Sequence, residues 1–272
     1  MDKPLVIYHG NCYDGFTAAW IARRAHPSVE LYAAAYGGPP PDVTGRVVYV
    51  LDFSYPREVM ERMYRDVQTM LVLDHHKTAE ADCAGLEFCR FDMERSGCRM
   101  AWDFFFSDED CPEWIKRVED RDLWRFTYPD TKDVHAYIAA LSMTMENWDN
   151  LHGTELREVA RSGSAIRRYI ETYIEKAAQE ARLVCFEADC VVVLNIPYQN
   201  ASETASYLLE RCPAADYSMA YFQRADGRWQ YSLRSRPEFD VSEVAKRHGG
   251  GGHAQAAGFE TARLIVPSGG KQ

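Results

Sequence analysis

Residues 70–77 read Met-Leu-Val-Leu-Asp-His-His-Lys, four apolar residues running directly into an aspartate and two histidines. A short apolar run of this kind suits a buried strand. Ending such a strand in three side chains able to bind protons or metals is costly to keep for packing alone. Taken singly, it also reads as a strand followed by a polar turn. Two further stretches repeat the pattern. Leu5-Val6-Ile7-Tyr8 leads into His9 and the small-residue turn Gly10-Asn11-Cys12-Tyr13-Asp14-Gly15, and Val47-Val48-Tyr49-Val50-Leu51 leads into Asp52. Residues 16–24 carry Phe16, Ala19 and Trp20 at helical spacing, and 57–66, after Pro56, reads as a second helix. Strands alternating with helices predict a parallel sheet with right-handed crossovers, which brings His9, Asp14, Asp52, Asp74, His75 and His76 to one carboxyl edge. For Asp14, capping the first helix is the plain alternative.

Carboxylates mixed with imidazoles suit manganese, magnesium or ferrous iron better than a structural zinc, which usually takes thiolates or imidazoles. An aspartate between two such ligand sets can bridge ions about 3.5–4 Å apart, the arrangement that activates water against phosphorus.

Asp74-His75-His76, with His9, Asp14 and Asp52 before it, resembles the DHH phosphoesterase superfamily. That superfamily includes RecJ exonucleases, nanoRNases, cyclic-dinucleotide phosphodiesterases, family II pyrophosphatases and some exopolyphosphatases. The resemblance implies two divalent metal ions, manganese foremost, with magnesium or iron as alternatives. Asp52 would bridge them, His9 would ligate the first, and Asp14 and His75 the second. His76 would contact the scissile phosphate and protonate the leaving group, with Asp74 orienting a histidine. The family's first motif usually has an Asp two residues before the position of Asp14. Here that place holds Cys12, beside Asn11, either a softer metal ligand or a small residue in a tight turn.

Residues 96–106 suggest a helix with Ser96 near its start, as a cap or a phosphate contact. Residues 114–124 form a helical segment dense in acids, a solvated face on composition alone. The resemblance implies that Asp120 supplies the last metal ligand, with Asp122 in reserve. The stretch 126–153 is mixed. A stripe from Leu156 to Ala181, through Gly163 and Ile174, predicts a long connecting helix over 154–184. Strands follow at 191–194, 217–222 and 228–233, with helices at 202–211 and 241–246.

Gly249-Gly250-Gly251-Gly252-His253 then precedes Ala254-Gln255-Ala256-Ala257-Gly258. Bare backbone allows close approach to a ligand, and successive amides can form an anion nest; a helix opening at 254–257 would add its positive end. The motif resembles the DHH-associated substrate-binding domain. This implies that Gly250, Gly251, Gly252 and His253 grip a phosphate or sugar, and that Arg234 reaches another phosphate or a base. The tail after Pro267 is expected to fray.

The fold expected is α/β. An N-terminal parallel-sheet DHH domain with helices on both faces (1–125) leads through a helical connector (126–185) to a smaller C-terminal α/β substrate-binding domain (186–272). Scattered cysteines without a Cys-x-x-Cys pair, no membrane-length apolar run and no signal-peptide pattern suggest a cytoplasmic protein. The net charge of −10 argues against a duplex-DNA binder. The function expected is two-metal hydrolysis of short oligonucleotides or dinucleotides to mononucleotides, nanoRNase-like, in a cleft between domains; a homodimer is compatible. Cyclic- or linear-dinucleotide hydrolysis is the alternative, as is exopolyphosphatase activity, although no lysine-rich run offers a polyanion channel. A non-enzymatic oligonucleotide binder with a decayed site is the competing class, motivated by Cys12 and opposed by the survival of the other ligands.

Overall fold

In the computed structural model, which describes residues 3–266, the three apolar runs are the central strands of one sheet. In chain order the elements are β1 (Leu5–His9), α1 (Tyr13–Ala25), β2 (Glu30–Ala34), β3 (Val47–Leu51), α2 (Arg57–Asp66), β4 (Thr69–Asp74), α3 (Lys77–Cys83) and β5 (Cys89–Phe91). The five strands run in the order β2-β1-β3-β4-β5, and every neighbouring pair is parallel. Successive strand residues face opposite ways, so both faces need cover. Val6, Leu51 and Leu73 pack with α1, while Leu5, Ile7, Val48, Val50 and Val72 pack with Met60 and Met63 of α2. Helices therefore lie on both faces.

Five helices complete the first part of the chain: α4 (Gly97–Phe105), α5 (Glu113–Asp122), α6 (Thr131–Ala139), α7 (Met145–Gly153) and α8 (Leu156–Ala177). They extend the α1 side of the core through Trp102, Trp114, Ile115, Ile138, Trp148 and Val159. Burying side chains such as Phe16 and Ile21 stabilises this layer by about 1.5–3 kcal/mol each. The buried indoles keep partners, as such groups must: Trp148 Nε1 donates to Thr17 Oγ1 at 2.9 Å and Trp20 Nε1 to Asp149 at 2.8 Å. At Gly163 a Cβ would stand 1.8 Å from the Asp133 carbonyl oxygen, so only glycine lets α8 cross α6 there.

Contacts divide the chain into two units, Met1–Arg167 and Arg168–Gln272, with the boundary inside α8. The second unit contains β6 (Arg182–Phe186), β7 (Asp189–Asn195), α9 (Ala201–Arg211), β8 (Tyr217–Gln223), β9 (Trp229–Ser235), α10 (Val241–Arg247), β10 (Gly251–His253) and β11 (Ala256–Thr261). Its six strands run β10-β11-β9-β8-β7-β6. Only β7 and β8, joined through α9, are parallel.

Two sequence expectations need correction. The helix expected over 154–184 stops at Ala177, because Val184 and Phe186 are taken into the β6–β7 hairpin and its apolar core. Residues 254–257 open no helix. Ala256 and Ala257 pair with Arg234 and Leu233 as the start of β11, and Ala257 and Phe259 join the core of this unit. The expected α/β class holds in both units. The tail after Pro267 lies outside the described residues. Among those described, no helix is long and apolar enough to cross a membrane.

Candidate metal centre

Register brings the site together. Tyr8 pairs with Leu51 and Leu51 with Leu73, so the next residue along each strand, His9, Asp52 and Asp74, falls at the same carboxyl edge. Asp14 follows in the first turn of α1, and Asp122 arrives as the last residue of α5. Asp52 leaves its strand with φ +56, a left-handed conformation disfavoured for a residue with a Cβ. Its amide still bonds Leu73 O at 2.8 Å, so the sheet holds the strained residue in place.

Asp52 is 1% exposed and faces two groups of donors. Its Oδ1 lies 3.1 Å from His75 Nε2, and its Oδ2 lies 3.5 Å from His9 Nδ1. His75 Nε2 is also 3.4 Å from Asp122 Oδ2 and 3.9 Å from Asp14 Oδ2. Three sets of potential ligand atoms each gather within 4.8 Å: His9 with Cys12 and Asp52; Asp52 with His75 and His76; Asp14 with His75 and Asp122. His9 Nδ1, Asp14 Oδ2 and Asp52 Oδ2 are buried without a hydrogen-bond partner. Buried polar atoms left this way are costly. Three of them converging among carboxylates, imidazoles and a thiol fit divalent cations.

The electrostatics agree. Burial raises the Asp14 carboxyl well above its ordinary range, and the neighbouring Asp52 and Asp122 charges raise it further. Burial and the Asp52, Asp122 and Asp14 charges push the Cys12 thiol up. Burial alone would also raise Asp52, yet the His75 and His9 imidazoles hold it well below the usual range. Crowded carboxylates whose pKa values split in this way are what a cation would relieve.

Asp74, fully buried, accepts from His76 Nδ1 at 2.7 Å, from the His75 and His76 amides, and from Ser54 Oγ at 2.6 Å. These contacts tie its carboxylate to His75, His76 and Ser54. Asp120 stays out of the cluster, contrary to the expectation that it supplies the last ligand. Its carboxylate accepts the Thr127 and Thr131 hydroxyls and the Thr127 and Tyr128 amides, holding the segment after α5. The reserve residue Asp122, 26% exposed in its side chain, points at His75 instead.

Two glycines that carried no expectation let the helices close on this edge. A Cβ on Gly97 would stand 2.4 Å from Asp52 Cβ and 2.9 Å from Asp14 Oδ2; one on Gly15 would stand 2.5 Å from His9 O. The Cys98 amide then donates to Asp14 Oδ1 at 3.0 Å, while Ser96 caps α4 through the Arg99 amide. Tyr36 was also missed. It is 60% exposed, with its ring 5.2 Å from His9 and 6.3 Å from His76. Only its place just after β2, at the same sheet edge, signals it.

The remaining expected residues form their own group in the second unit. His253, Ala256 and Arg234 are register partners across β10, β11 and β9, so His253 and Arg234 share a sheet face. Arg234 also donates to Ser202 Oγ at 2.6 Å. The glycines divide the work differently from an anion nest. Gly249, at φ +78, ends α10 in a Schellman turn, its amide bonding Lys246 O and that of Gly250 bonding Ala245 O. Cβ atoms on Gly250 and Gly252 would approach β11 to 2.1 and 2.6 Å, whereas Gly251 meets nothing within 4 Å.

Residues 189–264 match the DHHA1 domain. Along the sequence, the chain is 27% identical over 281 residues to uncharacterized protein R106 of Acanthamoeba polyphaga mimivirus, covering 94% of this chain and 66% of that protein, just under two thirds of its length. Three solved structures share the fold. An exopolyphosphatase-related protein from Bacteroides fragilis aligns with a TM-score of 0.59 at 14% identity, over 97% of this chain and 88% of that one. The pGpG-specific phosphodiesterase PggH from Vibrio cholerae aligns at 0.54 and 15%, over 96% and 94%. RecJ from Thermus thermophilus, in complex with Mn2+, aligns at 0.54 and 15%, over 94% of this chain and 49% of RecJ.

Proposed function

We infer that this chain is a member of the DHH phosphoesterase superfamily and a metal-dependent phosphodiesterase that hydrolyses short oligonucleotides to mononucleotides. The observation that carries the reading is Asp52, strained and buried between two donor sets, with unpartnered atoms of Asp52, His9 and Asp14 around it. Likeness in fold to a pGpG-specific phosphodiesterase and to RecJ supports a nucleotide phosphodiester as substrate. A linear dinucleotide is the shortest member of that class and the one we expect to turn over fastest.

His9 and Asp52 would hold one cation, and Asp14, His75 and Asp122 the other, with Asp52 shared. Two divalent ions, manganese foremost, would supply a lowered water pKa and positive charge against the phosphoryl oxygens. His76 engages Asp74 through Nδ1, and its Nε2 would donate to the phosphate or the leaving oxygen. Burial opposes charge on His76, but the Asp74 hydrogen bond and the Asp52 and Asp74 charges raise its pKa. In the second unit, Arg234 and His253 would bind phosphate or sugar from their shared sheet face, with Gly250, Gly251 and Gly252 bringing the backbone of β10 close.

The test is turnover by the full chain with manganese on an end-labelled dinucleotide, a longer RNA, a cyclic dinucleotide and polyphosphate. Fastest mononucleotide release from the dinucleotide is expected, abolished in Asp52→Ala. Phosphate release from polyphosphate alone would overturn the reading. Binding without turnover on any substrate would favour a protein that only holds oligonucleotides.

A further inference from the structure

We propose that Cys12 is a metal ligand, so that the position formed by His9, Cys12 and Asp52 takes a softer divalent ion, of the zinc or iron(II) class, than the position formed by Asp14, His75 and Asp122. The inference rests on the two-cation reading above and concerns which atoms hold the first ion.

The geometry comes first. An imidazole nitrogen, the Cys12 sulfur and a carboxylate oxygen lie within 4.8 Å of one another. The nitrogen and the oxygen on this side, His9 Nδ1 and Asp52 Oδ2, are buried and lack hydrogen-bond partners, and Asp52 is 1% exposed. Their 3.5 Å separation is too long for a good hydrogen bond. Two groups aimed at one point and satisfied by neither each other nor the protein call for a third partner.

Local folding does not otherwise account for the thiol. Cys12 occupies the N-cap of α1, a position that favours Ser, Thr, Asp or Asn, and it makes no cap hydrogen bond of ordinary geometry. It is not a core filler either. Cys83 and Cys98 are fully buried, while Cys12 is half-buried at the sheet edge. Its place at the start of a 13-residue helix puts the sulfur where the helix's positive end favours an anion.

Chemistry then separates the two positions. A set of one nitrogen, one sulfur and one oxygen prefers zinc or iron(II), whereas one nitrogen with two carboxylates suits manganese or magnesium. On ligation the thiol gives its proton to solvent, and the cation offsets the thiolate and Asp52 together.

Cobalt(II) is the probe, titrated into the metal-free full chain and followed by absorption. The expected result is a sulfur-to-cobalt charge-transfer band in the near ultraviolet, alongside visible d–d bands. Cys12→Ser should lose the charge-transfer band and keep d–d bands from the other position, while Cys98→Ala keeps both. Cys12→Asp, a second replacement that still supplies a ligand, should lose the charge-transfer band too. Its zinc affinity relative to manganese should fall by more than the roughly 10–100-fold typical of a lost outer partner. Wild-type protein that binds cobalt without the charge-transfer band, or Cys12→Ser protein that retains it, overturns the assignment. Cobalt that fails to bind wild type at all takes the two-cation reading down with it.

Discussion

Asp74 Oδ1 lies 2.7 Å from His76 Nδ1, and the same carboxylate also accepts both histidine amides and the Ser54 hydroxyl. This fixes the ring and favours the tautomer with Nδ1–H toward Asp74. Asp74→Asn keeps the shape but removes the charge that favours the imidazolium. We expect kcat to fall about 10–100-fold, the usual cost of losing a group that orients a reacting histidine, with KM and metal content little changed. Steady-state kinetics with metal analysis checks this; an Asp74→Asn protein that loses its metal would make Asp74 a ligand.

Asp120 and Asp122 sit two residues apart and do different work. Asp120→Ala strands the Thr127 and Tyr128 amides and both hydroxyls, at a cost of roughly 2–4 kcal/mol. It should melt several degrees lower yet bind manganese normally. Asp122→Ala should melt like wild type without metal and bind manganese far more weakly. Thermal melts and manganese titrations of both variants decide it, and the reverse pattern would restore Asp120 as the ligand.

How much of this could be read from the chain depends on whether the signal is local. His9, Asp52 and Asp74 were legible because a buried apolar run announces a strand, and parallel topology turns strand ends into neighbours. The choice between Asp120 and Asp122 was not. It depends on the segment after α5 folding back to set Thr127 and Thr131 over one carboxylate, which no helical periodicity encodes. Gly97 was silent for the same reason, since the atoms that exclude a Cβ there belong to Asp52 and Asp14, on other elements. The glycine run was expected to bring the backbone close to a ligand. What the backbone approaches is largely β11, and that partner follows them in sequence only after a turn.

The glycine run therefore makes a graded prediction. Gly250→Ala and Gly252→Ala each force a Cβ into β11, and Gly252 also sits at φ +139. Both should destabilise the chain, by an amount visible in denaturant unfolding. Gly251→Ala meets nothing within 4 Å and should fold as wild type. Any loss it shows in substrate KM then reports ligand contact rather than folding. Equal destabilisation by all three variants would count against this arrangement of β10.

Tyr36 offers an exposed ring beside His9 and His76. Stacking of a base on an aromatic face contributes about 1–3 kcal/mol, so Tyr36→Ala should raise KM for a dinucleotide roughly 5- to 100-fold on that scale. Tyr36→Phe should leave it nearly unchanged, and kcat should hold in both. An unchanged KM in Tyr36→Ala would remove the ring from substrate contact.

Metal removal should leave a protein that weakens as pH rises. Burial opposes charge on His75, but its hydrogen bond to Asp52 and the charges of Asp122, Asp52 and Asp14 raise its pKa to about 10. A pKa raised on folding means that the folded state holds a proton the unfolded chain has released. The stability gained is complete below the unfolded value of about 6.5 and is lost as pH climbs toward 10, at up to about 1.4 kcal/mol per pH unit. Asp14, also raised, acts in the same direction over the range above the ordinary carboxylate pKa. A divalent cation replaces the proton as the positive charge facing these carboxylates. With manganese at about 100 times its Kd, stability should rise by about 2.7 kcal/mol, and the alkaline slope should flatten. Asp52→Ala should show neither response, because the shared ligand is gone. Chelated and manganese-loaded melts across pH 6.5–10 measure both effects, and a metal-free slope of the opposite sign would mean that His75 is neutral in the folded protein.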